Sequence, residues 1–343
     1  MTLSAAIRTG DVAQLPGKRD EDWRWTDLRG LIRVLPPASP AFAGEVGEGP
    51  FGPAELTIVN GQLRGEASAL IVPAGESRTV RLRFVSASAG TSHGVHLGVE
   101  VADGASLILL ESYEGRAADY VADAVLTVGL GEGASLERIV LTDDDAGAVS
   151  VSTAIVTLGF GARLHQTVLA GGAKRQRIET RVNHPGHGAE VRLDGVYLLA
   201  GQRHADQTTV VTHEGLGGVT DQLTKGVVRD QARGVFQGRI VVAEGADKTD
   251  ARMGHHALIL SERAEVDAKP ELEIYADDVA CAHGNTVGAL DEDALFYIRQ
   301  RGVPEAEARA LLTEAFVGEV VERIEHEAAR AAAAAWVAQR LGG

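Results

Sequence analysis

Cysteine and histidine are the side chains best suited to chemistry in this sequence, and one short segment, ACAHG, brings them together. Cys281 and His283 are two positions apart, so in extended chain their side chains share a face. Thiolate and imidazole are both ligands for soft or borderline metals. Two ligands do not close a tetrahedral site, so the pair reads as a half-site that a partner chain completes. The plainer reading is a small buried thiol beside a hydrogen-bonded histidine. Both stay open on these residues alone. There is a single cysteine, which excludes an intrachain disulfide and a four-thiolate centre made by one chain.

The remaining histidines suggest less. His93 and His96 lie three apart in strand-like sequence and need not face the same way. His255 and His256 are adjacent, so a strand sends them to opposite faces. His184 and His187, in NHPGHG, fall in a turn where two imidazoles could converge on a metal. The neighbours His204 and Asp206, and His213 and Glu214, could hydrogen-bond, but no nucleophile or third ligand accompanies them. The sequence holds no G-x-S-x-G elbow, no H-E-x-x-H and no phosphate-loop lysine motif. Gly215 to Gly218 reads GLGG without the strand and helix of a phosphate loop. Asp247, Asp250, Asp277 and Asp278 would suit a carbohydrate-active enzyme, yet three Trp and five Tyr leave little surface for sugar stacking.

The elements that must position these residues repeat. GASL occurs at Gly104 to Leu107 and at Gly133 to Leu136, followed by GARL at Gly161 to Leu164 and GAEV at Gly188 to Val191. The glycines are therefore 29, 28 and 27 residues apart, each next to an apolar strand-like run such as SLILLESY or RLHQTVLA. A near-constant period is what a solenoid demands, because each turn stacks on the last with the same cross-section. Two or more β-branched strands per period fit a parallel β-helix, which should run from about Leu56 to about Thr286. A β-sandwich with chance repeats is the alternative. The strict repeat fades past Val191, and the strands before Ser86 show no glycine register.

A solenoid leaves open ends, and the segment from Asp291 onward is expected to cap one. Asp291 should begin a helix over DALFYIRQR, Gly302 should end it, and Pro304 should open a second helix. In that second helix Ala308, Leu311, Leu312, Ala315, Phe316 and Val320 form an apolar stripe, for packing on the solenoid or for a partner. The final AARAAAAAWVAQRL extends the helix or frays. Expected boundaries are 1–52 for an N-terminal helical segment and loop, 53–287 for the solenoid, and 288–343 for the helical domain.

Thirty-three Lys and Arg against 48 Asp and Glu give a net charge of −15, a poor match for nucleic acid or anionic membrane. No signal-like leader and no run of about 18 apolar residues stands out, so the expected location is cytoplasmic.

From Lys225 to Ile324 the chain resembles the SufB/SufD family. The resemblance is carried by KGVVRDQARGVFQGRIVVAEGADKTDA, by LILSERAEVDAKPELEIYADDVACAHGNTVGALDEDALFYIRQRG, and by EARALLTEAFVGEVVERI. At the N-terminus LPGKRDEDWRWTDL is similar to the family's P-x-x-K-x-E-x-W-R-Y-T, with Arg19 and Trp25 as variations. The resemblance implies a right-handed parallel β-helix with a short N-terminal helical segment and a C-terminal α-helical domain. It implies a non-catalytic scaffold in iron–sulfur cluster assembly, paired with SufB and bound by the ATPase SufC. His283, with Cys281 nearby, would be contributed at the SufB interface, where iron or a cluster binds transiently. No cofactor is expected to stay tightly bound to the isolated chain. The SufC-docking surface would involve Leu295, Phe296, Tyr297, Leu311, Leu312, Phe316 and Val320. Within the family a lone cysteine fits the SufD branch better than SufB. Met253, His255 and Ala257 depart from the polar residues often found in that strand. Two rivals stand beside this reading: a self-associating scaffold, homodimeric when isolated, and a β-helix carbohydrate-active enzyme.

Overall fold

Gly104, Gly133, Gly161 and Gly188 all adopt a left-handed backbone, with φ of 64°, 63°, 65° and 79°. A Cβ at any of them would meet nothing within 4 Å, so the dihedral and not crowding selects glycine. The alanine after each glycine is fully buried, which keeps the corner thin. Successive corners are tied together: the Gly104 amide donates to the Glu132 carbonyl at 2.8 Å and the Gly133 amide to Phe160 at 2.9 Å. The same column includes Gly75, Gly217 and Lys248, at φ 72°, 70° and 62°. The sequence repeat fades past Val191 because Gly218 and Thr249 replace the alanine and Lys248 replaces the glycine. The corner itself continues.

The computed structural model describes residues 1–64 and 69–341. Its first strands are β1 (Leu56–Val59), β2 (Gln62–Arg64), β3 (Ala69–Val72), β4 (Ser77–Ser86), β5 (Ser92–Val101) and β6 (Ser106–Gly115). Next come β7 (Val121–Leu130), β8 (Ser135–Asp143), β9 (Val149–Leu158), β10 (Arg163–Ala170), β11 (Arg175–His184) and β12 (Glu190–Leu199). The last are β13 (His204–His213), β14 (Val219–Val228), β15 (Arg233–Val242), β16 (Asp250–Ile259), β17 (Glu265–Ile274) and β18 (Ala280–Gly288). Even-numbered strands and β1 form a ten-stranded sheet, and odd-numbered strands from β3 to β17 form an eight-stranded one. Among the described residues every ladder is parallel except the β1–β2 hairpin. Two facing parallel sheets of consecutive strands are a parallel β-solenoid, as the repeat predicts. Its interior holds one continuous apolar core from Leu56 to Val266.

Each sheet is covered on its outer face by one end of the chain. The helices α1 (Leu3–Thr9) and α2 (Leu28–Leu31) and the segment between them place Leu3, Ala6, Leu15 and Leu28 against Val121, Val149 and Val151 of the smaller sheet. Polar contacts fix the same segment. The Arg177 guanidinium is fully buried, bonds Asp206 at 2.7 Å and the Asp22 carbonyl at 2.7 Å, and lies 4.4 Å from the Trp23 ring. Thr26 donates to Asp206 at 2.5 Å, and the Trp25 carbonyl lies 3.1 Å from His204 Nε2. The tryptophan-rich motif is thus a clamp on the solenoid flank.

The helices α3 (Glu292–Arg299), α4 (Glu305–Val321) and α5 (Glu327–Leu341) follow β18. Asp291 caps α3, accepting from the amides of Asp293 and Ala294, and Gly302 follows it at φ 90°. Contrary to the expected terminal cap, α4 and α5 lie along the outside of the ten-stranded sheet. Val317, Val320, Ile324, Ala333 and Trp336 pack there on Ile139, Leu141, Leu169, Val196 and Leu198. The physical reason is legible in the strands: runs such as SLILLESY are apolar on both faces, as strands covered on both sides must be. The buried face of α4 is Ala308, Thr313, Val317, Val320 and Val321; of the expected stripe Ala308 and Val320 are buried, Leu312 and Phe316 are half-buried, and Leu311 and Ala315 face out. The alanine-rich tail is a separate helix whose small residues let it approach the sheet closely. Among the described residues, no helix is long and apolar enough to cross a membrane.

Candidate functional site

The last level of the solenoid is its least covered. Among the described residues β18 pairs only with β16, and β17 only with β15, so each leaves one edge unpaired. In β18, Cys281 aligns with Ala251 and His283 with Met253, both buried inside the preceding level. In-register parallel strands share faces, so the thiol and the imidazole both point into the solenoid cross-section at its open end. Cys281 packs partly against the apolar cluster that contains Phe236, Ala251 and Met253, while His283 is exposed. Burial, with Asp250 adding to it, pushes the Cys281 thiol up from its ordinary value. At neutral pH the thiol is protonated, and a metal must displace that proton to bind it. Among the described residues no three His, Cys, Asp or Glu side chains are grouped to hold a metal ion.

A buried polar chain supports this strand. Asn285 Oδ1 lies 2.7 Å from His255 Nδ1, and His255 Nε2 lies 2.9 Å from the Tyr197 hydroxyl. With the amide oxygen accepting, Nδ1 carries the imidazole proton and Nε2 accepts from Tyr197. Phe236 stacks on His255 at 4.6 Å, and burial holds the imidazole pKa down to about 4. Glycines make the room: a Cβ on Gly226 would come within 1.9 Å of the Tyr197 ring, and one on Gly238 within 2.0 Å of Met253 Sδ. The glycines of KGVVRDQARGVFQGRIVV are therefore spacers for large inward side chains. Sequence reading missed Tyr197 and Asn285; period-two counting inward from Cys281 through His283 would have reached Asn285.

His255 is buried and His256 lies on the other face, near Thr286, as adjacent strand residues must. His184 and His187 do not converge: His184 stacks on His213 at 4.4 Å, and the His187 ring lies tilted against Phe160 at 4.6 Å. Of the four aspartates weighed for sugar chemistry, Asp278 pairs with Lys248 and Asp250 sits 3.3 Å from Arg252.

The helical residues divide. Phe296, Tyr297 and Leu311 are 65%, 59% and 46% exposed. Leu312 and Phe316 are half-buried, with the Lys225 ammonium 4.5 Å from the Phe316 ring. Leu295 and Val320 are buried within the chain and support the surface from beneath.

Fold and site together define a parallel β-solenoid protein whose metal-capable residues sit on an open terminal strand and not in a cleft. The core domain of the SUF system FeS cluster assembly family, SufBD, matches residues 84–316. The iron–sulfur cluster assembly protein SufD of Escherichia coli is 32% identical over 74% of this chain and 60% of its own length. A SufBD family protein of Synechocystis is 32% identical over 60% of this chain and 45% of its own. One from Mycobacterium leprae is 27% identical over 92% of this chain and 87% of its own. The chain belongs to the SufBD family of iron–sulfur cluster assembly proteins. It matches about half the length of the first two relatives.

Proposed function

We propose that this chain is a non-catalytic scaffold subunit that pairs through its last solenoid level with a SufB-type partner. The observation carrying this reading is the unpaired β18 edge, with Cys281 and His283 side by side on it. Natural proteins rarely leave long strand edges open unless something covers them. Two donors from this chain and the rest from the partner would hold iron or a nascent cluster, which is cargo and not a resident cofactor. The exposed Phe296, Tyr297 and Leu311, underpinned by Leu295 and Val320 and flanked by Leu312 and Phe316, form the surface proposed for the ATPase SufC. In this reading the chain works in three parts, 1–52, 53–287 and 288–343, in the cytoplasm. The relatives' own description as assembly proteins supports the reading.

Co-expression with SufB and SufC, followed by stoichiometry and metal analysis, tests it. A stable complex whose iron and cluster yield falls in His283→Ala is expected. Homodimers that exclude SufB, or unchanged iron acquisition in the variant, would overturn it.

A further inference from the structure

On the opposite flank from the C-terminal helices, the N-terminal segment borders an open pocket of about 800 Å³ against the start of β11. Its lining brings Lys18, Arg19, Arg29, Arg33 and Arg175 together, in a chain with a net charge of −15. No salt bridge engages any of these five cations among the described residues. The two carboxylates in the lining serve the backbone instead: Asp20 accepts from the Gly17 amide at 2.8 Å and Asp27 from the Gly30 amide at 2.7 Å. Arg29 is held in place by the carbonyls of Leu15 and Ala13, at 2.9 and 2.8 Å. Arg175 gives one terminal nitrogen to the Lys174 carbonyl at 2.9 Å, while its buried Nε has no acceptor. Burial and the nearby Arg233 both oppose its charge, and Asp27 offsets them incompletely.

A buried guanidinium donor without an acceptor is costly, and it is commonly satisfied by a bound group. Guanidinium forks match phosphate geometry. The volume suits a small molecule. Leu31 and Met1 are the large apolar side chains in the lining, too little to anchor a peptide or a base, so recognition rests on charge.

We propose that this pocket binds a small phosphorylated ligand through its phosphate groups. The assignment is independent of the reading of Cys281 and His283. Calorimetric titration of the full chain with pyrophosphate at low ionic strength tests it, with a triglutamate peptide and sulfate as comparisons. Saturable one-site binding is expected, weaker for sulfate, and reduced about tenfold or more in Arg175→Gln, the loss of one charge-assisted contact. The exposed double variant Lys18→Gln/Arg33→Gln should weaken binding similarly with an unchanged melting curve, which separates the site from folding. Arg309→Gln, on the far flank, should bind as the parent does. Absence of saturable pyrophosphate binding, equal affinity in the double variant, or tighter binding of the peptide would overturn the proposal.

Discussion

At the scale of single residues the buried imidazoles set the response to acid. Burial holds His93, His204 and His255 down to about 4 and His213 to about 3. Each folded value lies below the roughly 6.5 of an unfolded histidine, so the unfolded chain takes the extra proton. Stability is therefore lost as pH falls through about 6.5 towards those values. Asp123 and Asp194, raised to about 6 and about 7 by burial, act oppositely, since the folded chain keeps their protons. His165 and His184, also held down by burial, join the imidazoles, and Asp144, raised by burial, joins the carboxyls. The imidazoles outnumber the carboxyls, so stability falls on acidification between about pH 6 and 4. Thermal melts should show that fall, and His255→Gln should flatten it; a melting temperature independent of pH would contradict the burial argument. The sequence exposed part of this scale. Cys281 and His283 were legible as a pair because two-residue spacing fixes a shared face. Tyr197, 58 residues from His255, was not, because its contact depends on stacked levels meeting inside the solenoid.

At the scale of elements, the corner column and the N-terminal clamp invite direct tests. Gly161→Ala, at φ 65° with open space around it, should cost about 1–2 kcal/mol in urea unfolding from backbone strain alone. Lys248→Gly should gain up to about 1 kcal/mol, because relief at φ 62° outweighs an exposed ion pair with Asp278. A loss there would mean that the ion pair, not the dihedral, governs that corner. In the clamp, Asp206→Asn leaves the buried Arg177 with Glu179 as its remaining carboxylate partner and should cost about 2 kcal/mol, read as a lower urea midpoint. The glycine period made the solenoid readable, since a corner must recur wherever levels stack. The clamp was readable only as a motif. Its meaning lay in Asp206 and Arg177, far away in sequence on the smaller sheet. The helical stripe was right at Ala308 and Val320 and wrong at Leu311 and Ala315 for a related reason: α4 is apolar on more than one side, and only the sheet beneath it decides which side is buried.

At the scale of the whole molecule, the chain ends cover the two flanks and leave the axis free at β17 and β18. Val287 is 44% exposed, so Val287→Asp should change the stability of the isolated chain by less than about 0.5 kcal/mol. The same variant should abolish co-purification of a SufB-type partner; retention at full stoichiometry would place the contact elsewhere. Helix placement escaped the sequence because an apolar helix fits an open end and a two-sided apolar sheet equally well. An uncovered ladder edge also acts as a ruler. A neighbour that continues it must choose an alignment, and a slip of one residue turns every one of its side chains over. Only half of the possible alignments would then offer donors toward Cys281 and His283. Adhesion and proofreading of the join would come from the same row of amides and carbonyls.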